Sequence, residues 1–301
     1  VNEQKYPITT NEQPTTNNQQ RTTNNEQPST NNKKQQQMTN IAIIGGGNLG
    51  TAIAQGLAHA SKDYNIAISR RKIEIIQFLS VQGIALTSNN ADCIKAHEII
   101  ILAVKPKQVA AVLTEIKDQI NAEKQVLISV ATGVSTHEIE EHLGFKMPIF
   151  RAMPNTAVAI RESMTCISSR NSTVEQRQMV VKLFDELGKS ILIEESLMEA
   201  STVLGACGIA YALRFIRASM QGGIEIGFDS KTSLLIAAQT VKGAAELLLQ
   251  GGQHPESEID KVTTPQGCTI AGLNEMEHQG FSSSLIKGIA TSFHAIDKIK
   301  K

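Results

Sequence analysis

The 301-residue chain has no tryptophan, and aromatic residues make up only 4% of it. A platform that stacks unpaired bases needs such rings, so single-stranded nucleic acid is a poor match. An excess of either charge is also missing, because 29 basic residues face 29 acidic ones. No basic face is therefore expected to displace counterions from a polyanion. Cysteine is scarce and dispersed: Cys93, Cys166, Cys207 and Cys268 form no CxxC pair. Neither a metal framework nor a disulfide scaffold is expected, which fits a reducing compartment. No run approaches the roughly 20 apolar residues that span a bilayer. Residues 1–37 lack the apolar core of a signal peptide. The expectation is a soluble, cytoplasmic protein with no membrane or nucleic-acid partner and, at 41% hydrophobic residues, a substantial core.

What is present falls into three parts. Residues 1–37 are rich in Asn, Gln and Thr, and Asn11-Glu-Gln-Pro-Thr-Thr-Asn-Asn18 recurs with one change as Asn25-Glu-Gln-Pro-Ser-Thr-Asn-Asn32. Such a segment has little apolar surface to offset the entropy of ordering, so a disordered tail is expected. Residues 38–196 carry strand–helix alternation, and residues 197–301 carry helical pattern alone. The expected fold is a Rossmann-type doubly wound parallel sheet followed by an all-α domain.

The apolar run Ile41-Ala-Ile-Ile44 leads into Gly45-Gly-Gly47-Asn48-Leu49-Gly50 and then a helical pattern from Thr51. The first glycine suits a tight turn, the second lets backbone approach a pyrophosphate, and the third lets helix pack on strand. The phosphates then meet the positive end of the helix. A GxGxxG alone is weak evidence, and the strand before it and helix after it strengthen it. The next strand, Tyr64 to Ser69, ends in Ser69-Arg70-Arg71-Lys72 rather than in a carboxylate. Guanidinium groups suit a ribose 2′-phosphate, so NADPH is expected over NADH, with NADH still possible. The alternative is that these cations only solvate a helix start. Asn90, Ala103-Val104-Lys105-Pro106 and Ala131-Thr132-Gly133 fall at or near the carboxyl ends of strands, where an open parallel sheet binds its ligand.

Four segments carry a resemblance to a known family: residues 44–50, Ala103 to Pro106, Arg151-Ala-Met-Pro-Asn-Thr156, and Lys261 through Leu273. Together they resemble pyrroline-5-carboxylate reductase over residues 40 to about 299. The resemblance implies NAD(P)H-dependent reduction of a cyclic imine acid to L-proline. It also implies a homodimer built from the helical half. Within residues 197–301 the helices expected are 209–228, 231–249, 254–262, 269–278 and 282–299. The first has an apolar stripe through Ala212, Phe215 and Ile216, and small residues Ala218, Gly222 and Gly223 that permit close helix approach.

No His or carboxylate pair stands out as an obligatory acid–base couple. The loop before Thr269 can offer backbone N–H groups to a carboxylate. By resemblance Gly267, Cys268 and Thr269 bind substrate, with the Thr269 hydroxyl on the ring nitrogen; the other role open to Thr269 is a helix cap. Glu195 matches an acidic family position near the substrate, and otherwise reads as a solvated linker carboxylate. The chain departs from the family pattern at Cys207 (serine), Ile209 (proline) and Gln266 (glycine). If position 266 needs positive φ, Gln266 strains its loop. Another reductase of this architecture, or a nucleotide sensor without activity, would share the first half.

Overall fold

The structure is a computed structural model that describes residues 38–296. The repeat-bearing tail, and the last turn of the helix expected to reach residue 299, lie outside the described residues. The core is one eight-stranded sheet in the order β3-β2-β1-β4-β5-β6-β7-β8. In chain order the strands are β1 (Thr39–Ile44), β2 (Tyr64–Ser69), β3 (Ala85–Thr87), β4 (Ile99–Leu102), β5 (Val126–Ser129), β6 (Ile149–Met153), β7 (Ser163–Arg170) and β8 (Gly188–Leu192).

The central strands are buried on both faces, which explains their near-continuous Ile and Leu. Alternate residues of β1 feed opposite layers. Ile41 and Ile43 pack with Ile53 and Leu57 of helix α1 (Asn48–Ala60). Ala42 and Ile44 pack with Cys93 and Ile94 of α2 (Asn90–Ile94) and with Val109 and Leu113 of α3 (Pro106–Ile116). Helix α4 (Thr136–Leu143) lies in that second layer through Ile139, and α5 (Val174–Asp185) lies in the first through Val180 and Phe184.

Strands β1 through β6 run parallel, but β7 is antiparallel to β6 and β8 is parallel to β7. The expected doubly wound parallel sheet is thus present, with the direction reversed only at its last two strands. Beyond β1 the chain builds outward to β2 and β3, then returns to place β4 on the other side of β1. That reversal opens a crevice at the carboxyl ends of β1 and β4.

After β8 the described residues hold only helices: α6 (Met198–Ser201), α7 (Gly208–Glu225), α8 (Ser230–Gly251), α9 (Pro255–Val262), α10 (Cys268–His278) and α11 (Phe281–Ile296). They match the expected helices within a few residues at each end. Between α6 and α7 the residues Thr202–Cys207 form a π-turn, so Glu195–Glu225 is one continuous helical run. The Asn155 side chain donates to the Gly205 carbonyl in this turn (3.3 Å). The run is 31 residues, an 18-residue window within it has mean hydropathy 1.3, and it is long and apolar enough to cross a membrane by length and composition. Arg214 and Arg217 interrupt it, so its longest stretch without a charged residue stays short of the roughly 20 apolar residues of a span. Only 17% of its apolar window is buried in one chain. Leu204, Leu213, Leu235 and Ile286 are likewise exposed on the helical half. Gly223 acts inside the chain, since a Cβ there would lie 2.1 Å from Ser233 Oγ, which itself donates to Met220 O. It lets α8 press on α7.

Candidate active site

The crevice beside β1 is a cleft of about 410 Å³. Its lining brings together Gly45, Gly47, Ser69, Arg70, Arg71, Asn90, Ala103, Val104 and Lys105, all expected from sequence. Ile44, Gly46, Lys72, Ile75, Gln108 and Val112 complete the wall, and of these the sequence offered no separate sign beyond position. Gly45 has φ +109°, and a Cβ there would lie 2.5 Å from Ala103 O. A Cβ on Gly50 would lie 2.1 Å from Gly45 O, so α1 could not approach its own loop. A Cβ on Gly47, in contrast, would meet nothing within 4 Å. The loop is thus closed by protein at Gly45 and Gly50 and open at Gly47, the arrangement a backbone-bound phosphate requires.

Asn48, Leu49 and Gly50 form the first turn of α1, where Leu49 also packs on the core. No side chain caps this helix, which leaves its first N–H groups free for an anion. Lys105 is exposed at the cap of α3 and Pro106 is that helix's first residue. Ala131, Thr132 and Gly133 follow β5 and lie outside the cleft lining; Ala131 is buried and the Thr132 hydroxyl faces Met153 Sδ at 3.9 Å.

At the end of β2, the Ser69 carbonyl accepts from Gly45 N (3.1 Å) and Gly46 N (2.8 Å), tying this strand end to the glycine loop. The Arg70 guanidinium donates to Gly46 O, while Arg71 and Lys72 are exposed. The Ser69 hydroxyl donates to Asn90 Oδ1 at 2.6 Å.

Glu195 is engaged within the chain. Its Oε1 accepts from Thr136 N (2.7 Å) and its Oε2 from Thr136 Oγ1. The same Oε1 lies 3.3 Å from Arg151 Nη1, and Glu199 Oε1 lies 3.7 Å from Arg151 Nη2. Arg151 is 2% exposed on β6 and is the largest fully buried side chain. Glu195 is therefore tied into the protein and is not a solvated linker carboxylate. It fastens the start of the helical run to β6 and to the first turn of α4. Sequence reading placed Arg151 in a family motif but missed this pairing; an arginine amid Ile149, Phe150, Ala152 and Met153 was the available sign.

Gly267, Cys268 and Thr269 lie at the start of α10, which packs against α11. The cap is Gly267, with no side-chain cap, so Thr269 is the second helical residue and not the cap. Its side chain is exposed, as is that of Cys268. The preceding turn closes through Gly267 N to Thr264 O (3.0 Å), with Pro265 and then Gln266 at φ 57°. Proline followed by positive φ is the type II pattern, where glycine is favoured at the second position. The left-handed region costs a non-glycine residue about 1–2 kcal/mol. Glycine gives back about 0.4–1 kcal/mol through unfolded-chain freedom. Gln266→Gly is expected to stabilise the fold by about 0.5–1 kcal/mol, read by chemical denaturation at fixed protein concentration. A loss of stability instead would mean that the Gln266 side chain makes a contact worth more than its strain.

The comparisons agree with this geometry. A model of pyrroline-5-carboxylate reductase dimerisation matches residues 195–299, and one described as NADP oxidoreductase, coenzyme F420-dependent, matches residues 40–133. Pyrroline-5-carboxylate reductase 1 of Dictyostelium discoideum is 46% identical over 267 residues, covering 84% of this chain. The match spans about half (48%) of that relative's length. Pyrroline-5-carboxylate reductase 2 of the same organism is 43% identical, over 84% of this chain and 90% of the relative. A pyrroline-5-carboxylate reductase structure from Coxiella burnetii aligns with TM-score 0.80 at 28% identity, covering 88% of this chain and 99% of its own. With its glycine-loop cleft, its helical second half and these relatives, the chain belongs to the pyrroline-5-carboxylate reductase family.

Proposed function

We propose that this chain reduces 1-pyrroline-5-carboxylate to L-proline with NAD(P)H, NADPH being preferred. The observation that carries the substrate half is the start of α10: an uncapped helix N-terminus with the Thr269 hydroxyl exposed beside it. The free N–H groups there suit the substrate carboxylate. The Thr269 hydroxyl suits the ring nitrogen, which ends the reaction as an amine. When bound, the reduced nicotinamide supplies the hydride to the imine carbon. The open glycine loop and the first turn of α1 hold the pyrophosphate, and Arg70 and Arg71 favour a 2′-phosphate. No acid–base pair is needed, because a protonated imine already carries an electrophilic carbon; positioning provides the acceleration.

The division of labour follows the chain. Residues 38–196 hold the cofactor, and residues 197–301 hold the substrate and pair with a second copy, whose helices cover the bare apolar faces. All four cysteines are free thiols, which supports a cytoplasmic setting.

The test is turnover of pyrroline-5-carboxylate with NADPH by the chain and by two variants. Thr269→Ala is expected to lower kcat/KM for the imine about 10-fold, the worth of one transition-state hydrogen bond. Thr269→Ser keeps the hydroxyl and should retain most activity. Because Gly267 is the cap, neither change should cost the stability of a lost cap, and NADPH affinity should hold. An alanine variant that reduces the imine normally would remove Thr269 from the site.

A further inference from the structure

The end of β2 carries a polar relay that the cofactor assignment does not use. Ser69, 1% exposed, donates its hydroxyl proton to Asn90 Oδ1 at 2.6 Å. Asn90 in turn donates from Nδ2 to Glu115 Oε2 on α3, at 3.0 Å. Ser69 and Asn90 both line the cleft; Glu115 stands behind them. An ionised carboxylate only accepts, so it fixes which way the Asn90 amide faces. The nitrogen must point to Glu115 and the oxygen to Ser69. The Ser69 hydroxyl must then donate inward, leaving only lone pairs toward the cleft.

That polarity matters because the two nicotinamide cofactors differ at one ribose position. A 2′-hydroxyl can donate to the Ser69 lone pairs. A 2′-phosphate is an acceptor and meets those lone pairs as a repulsion, with the charge of Glu115 close behind. Arg70 and Arg71 pull in the opposite direction. We propose that Glu115 is a positioning residue for cofactor choice: through Asn90 it holds Ser69 as an acceptor and so restrains the preference for NADPH that the arginines create. The proposal rests on the reading of this cleft as the site for the adenosine ribose.

The experiment measures KM for NADPH and for NADH, with pyrroline-5-carboxylate saturating, in the full chain and in Glu115→Gln and Glu115→Asp. Glutamine can offer its own amide nitrogen to Asn90 Oδ1, which lets the Asn90 amide turn over and frees the Ser69 proton. Glu115→Gln is expected to lower the ratio of KM(NADPH) to KM(NADH) by about 3- to 10-fold, the range of one hydrogen bond gained. Glu115→Asp keeps the charge but withdraws it from Asn90, and the relay requires it to shift the ratio in the same direction. An unchanged ratio in Glu115→Gln overturns the proposal. So does an aspartate variant that behaves like the parent, since charge alone would then set the effect. Glu115 is exposed, so the melting temperature serves as a control that the fold is intact. A parent chain that prefers NADH would refute the arginine reading alone, because the shift in ratio is read independently of its starting value.

Discussion

Arg151→Met is expected to destabilise the chain by about 3 kcal/mol, the cost of stripping a buried ion pair of one partner. The methionine fills most of the space on β6, so the loss comes from charge and not from a cavity. Glu195 and Glu199, with side chains 31% and 20% exposed, would be left without their guanidinium. Their partial exposure gives some relief through water, which holds the estimate to the lower part of the 3–5 kcal/mol range for such losses. The melting temperature should fall by about 6–12 °C for a chain of this size. Neutralising both carboxylates in the same background should recover part of the loss, because an apolar residue then faces uncharged amides. Denaturation at one protein concentration checks both variants, the concentration being fixed because the proposed dimerisation would make stability concentration-dependent. A single variant that melts within about 1 °C of the parent would mean that the pair contributes nothing to stability.

The second large effect belongs to the arginines after β2. Replacing Arg70 and Arg71 together by alanine is expected to raise KM for NADPH by roughly 30- to 100-fold. A charge-assisted hydrogen bond to a phosphate is worth about 1.5–3 kcal/mol, with Arg70 at the low end, and the exposure of Arg71 cuts its share to about 0.5–1 kcal/mol. NADH should suffer far less. It should not escape entirely, because Arg70 also braces Gly46 O and so the loop under the pyrophosphate. Steady-state kinetics with each cofactor separates the two contributions: equal losses for both would place the arginines on the loop and not on the 2′-phosphate.

Much of this architecture could be read from local pattern. Strands β1, β4 and β5 are short apolar runs between turn residues, and the glycines after β1 state their purpose by spacing. The helices from α7 onward keep their apolar period and their punctuation, as at Gly251 and Gly252. The later strands gave less. Strand β6 hides an arginine inside its apolar run, and β8 is a half-exposed edge segment, Gly-Lys-Ser-Ile-Leu, without a buried-strand signature. The reversal at β7 depends on which edge of the sheet is vacant, which no single segment encodes. The polar pairings were hidden for another reason. Arg151 meets Glu195 across 44 positions and Asn90 meets Glu115 across 25, so each pair exists only after the strands and helices have packed. Thr269 shows the limit at finer grain: its place in the motif was legible, but whether it capped the helix depended on the φ and ψ of Gly267.

The π-turn at Thr202–Cys207 bears on why this chain can carry isoleucine at position 209 where its family has proline. A proline there would lack an N–H and would crowd the carbonyl four residues back, that of Gly205. Here that carbonyl is already engaged by the Asn155 amide, which reaches in from the end of β6. The wide turn is therefore pinned from outside the helix, by a side chain just past the end of β6. A ring at 209 would be one way to impose the same bend, and in this chain the bend is present without it. The backbone keeps its path with isoleucine lying on it, so the junction's shape does not depend on a ring at this position.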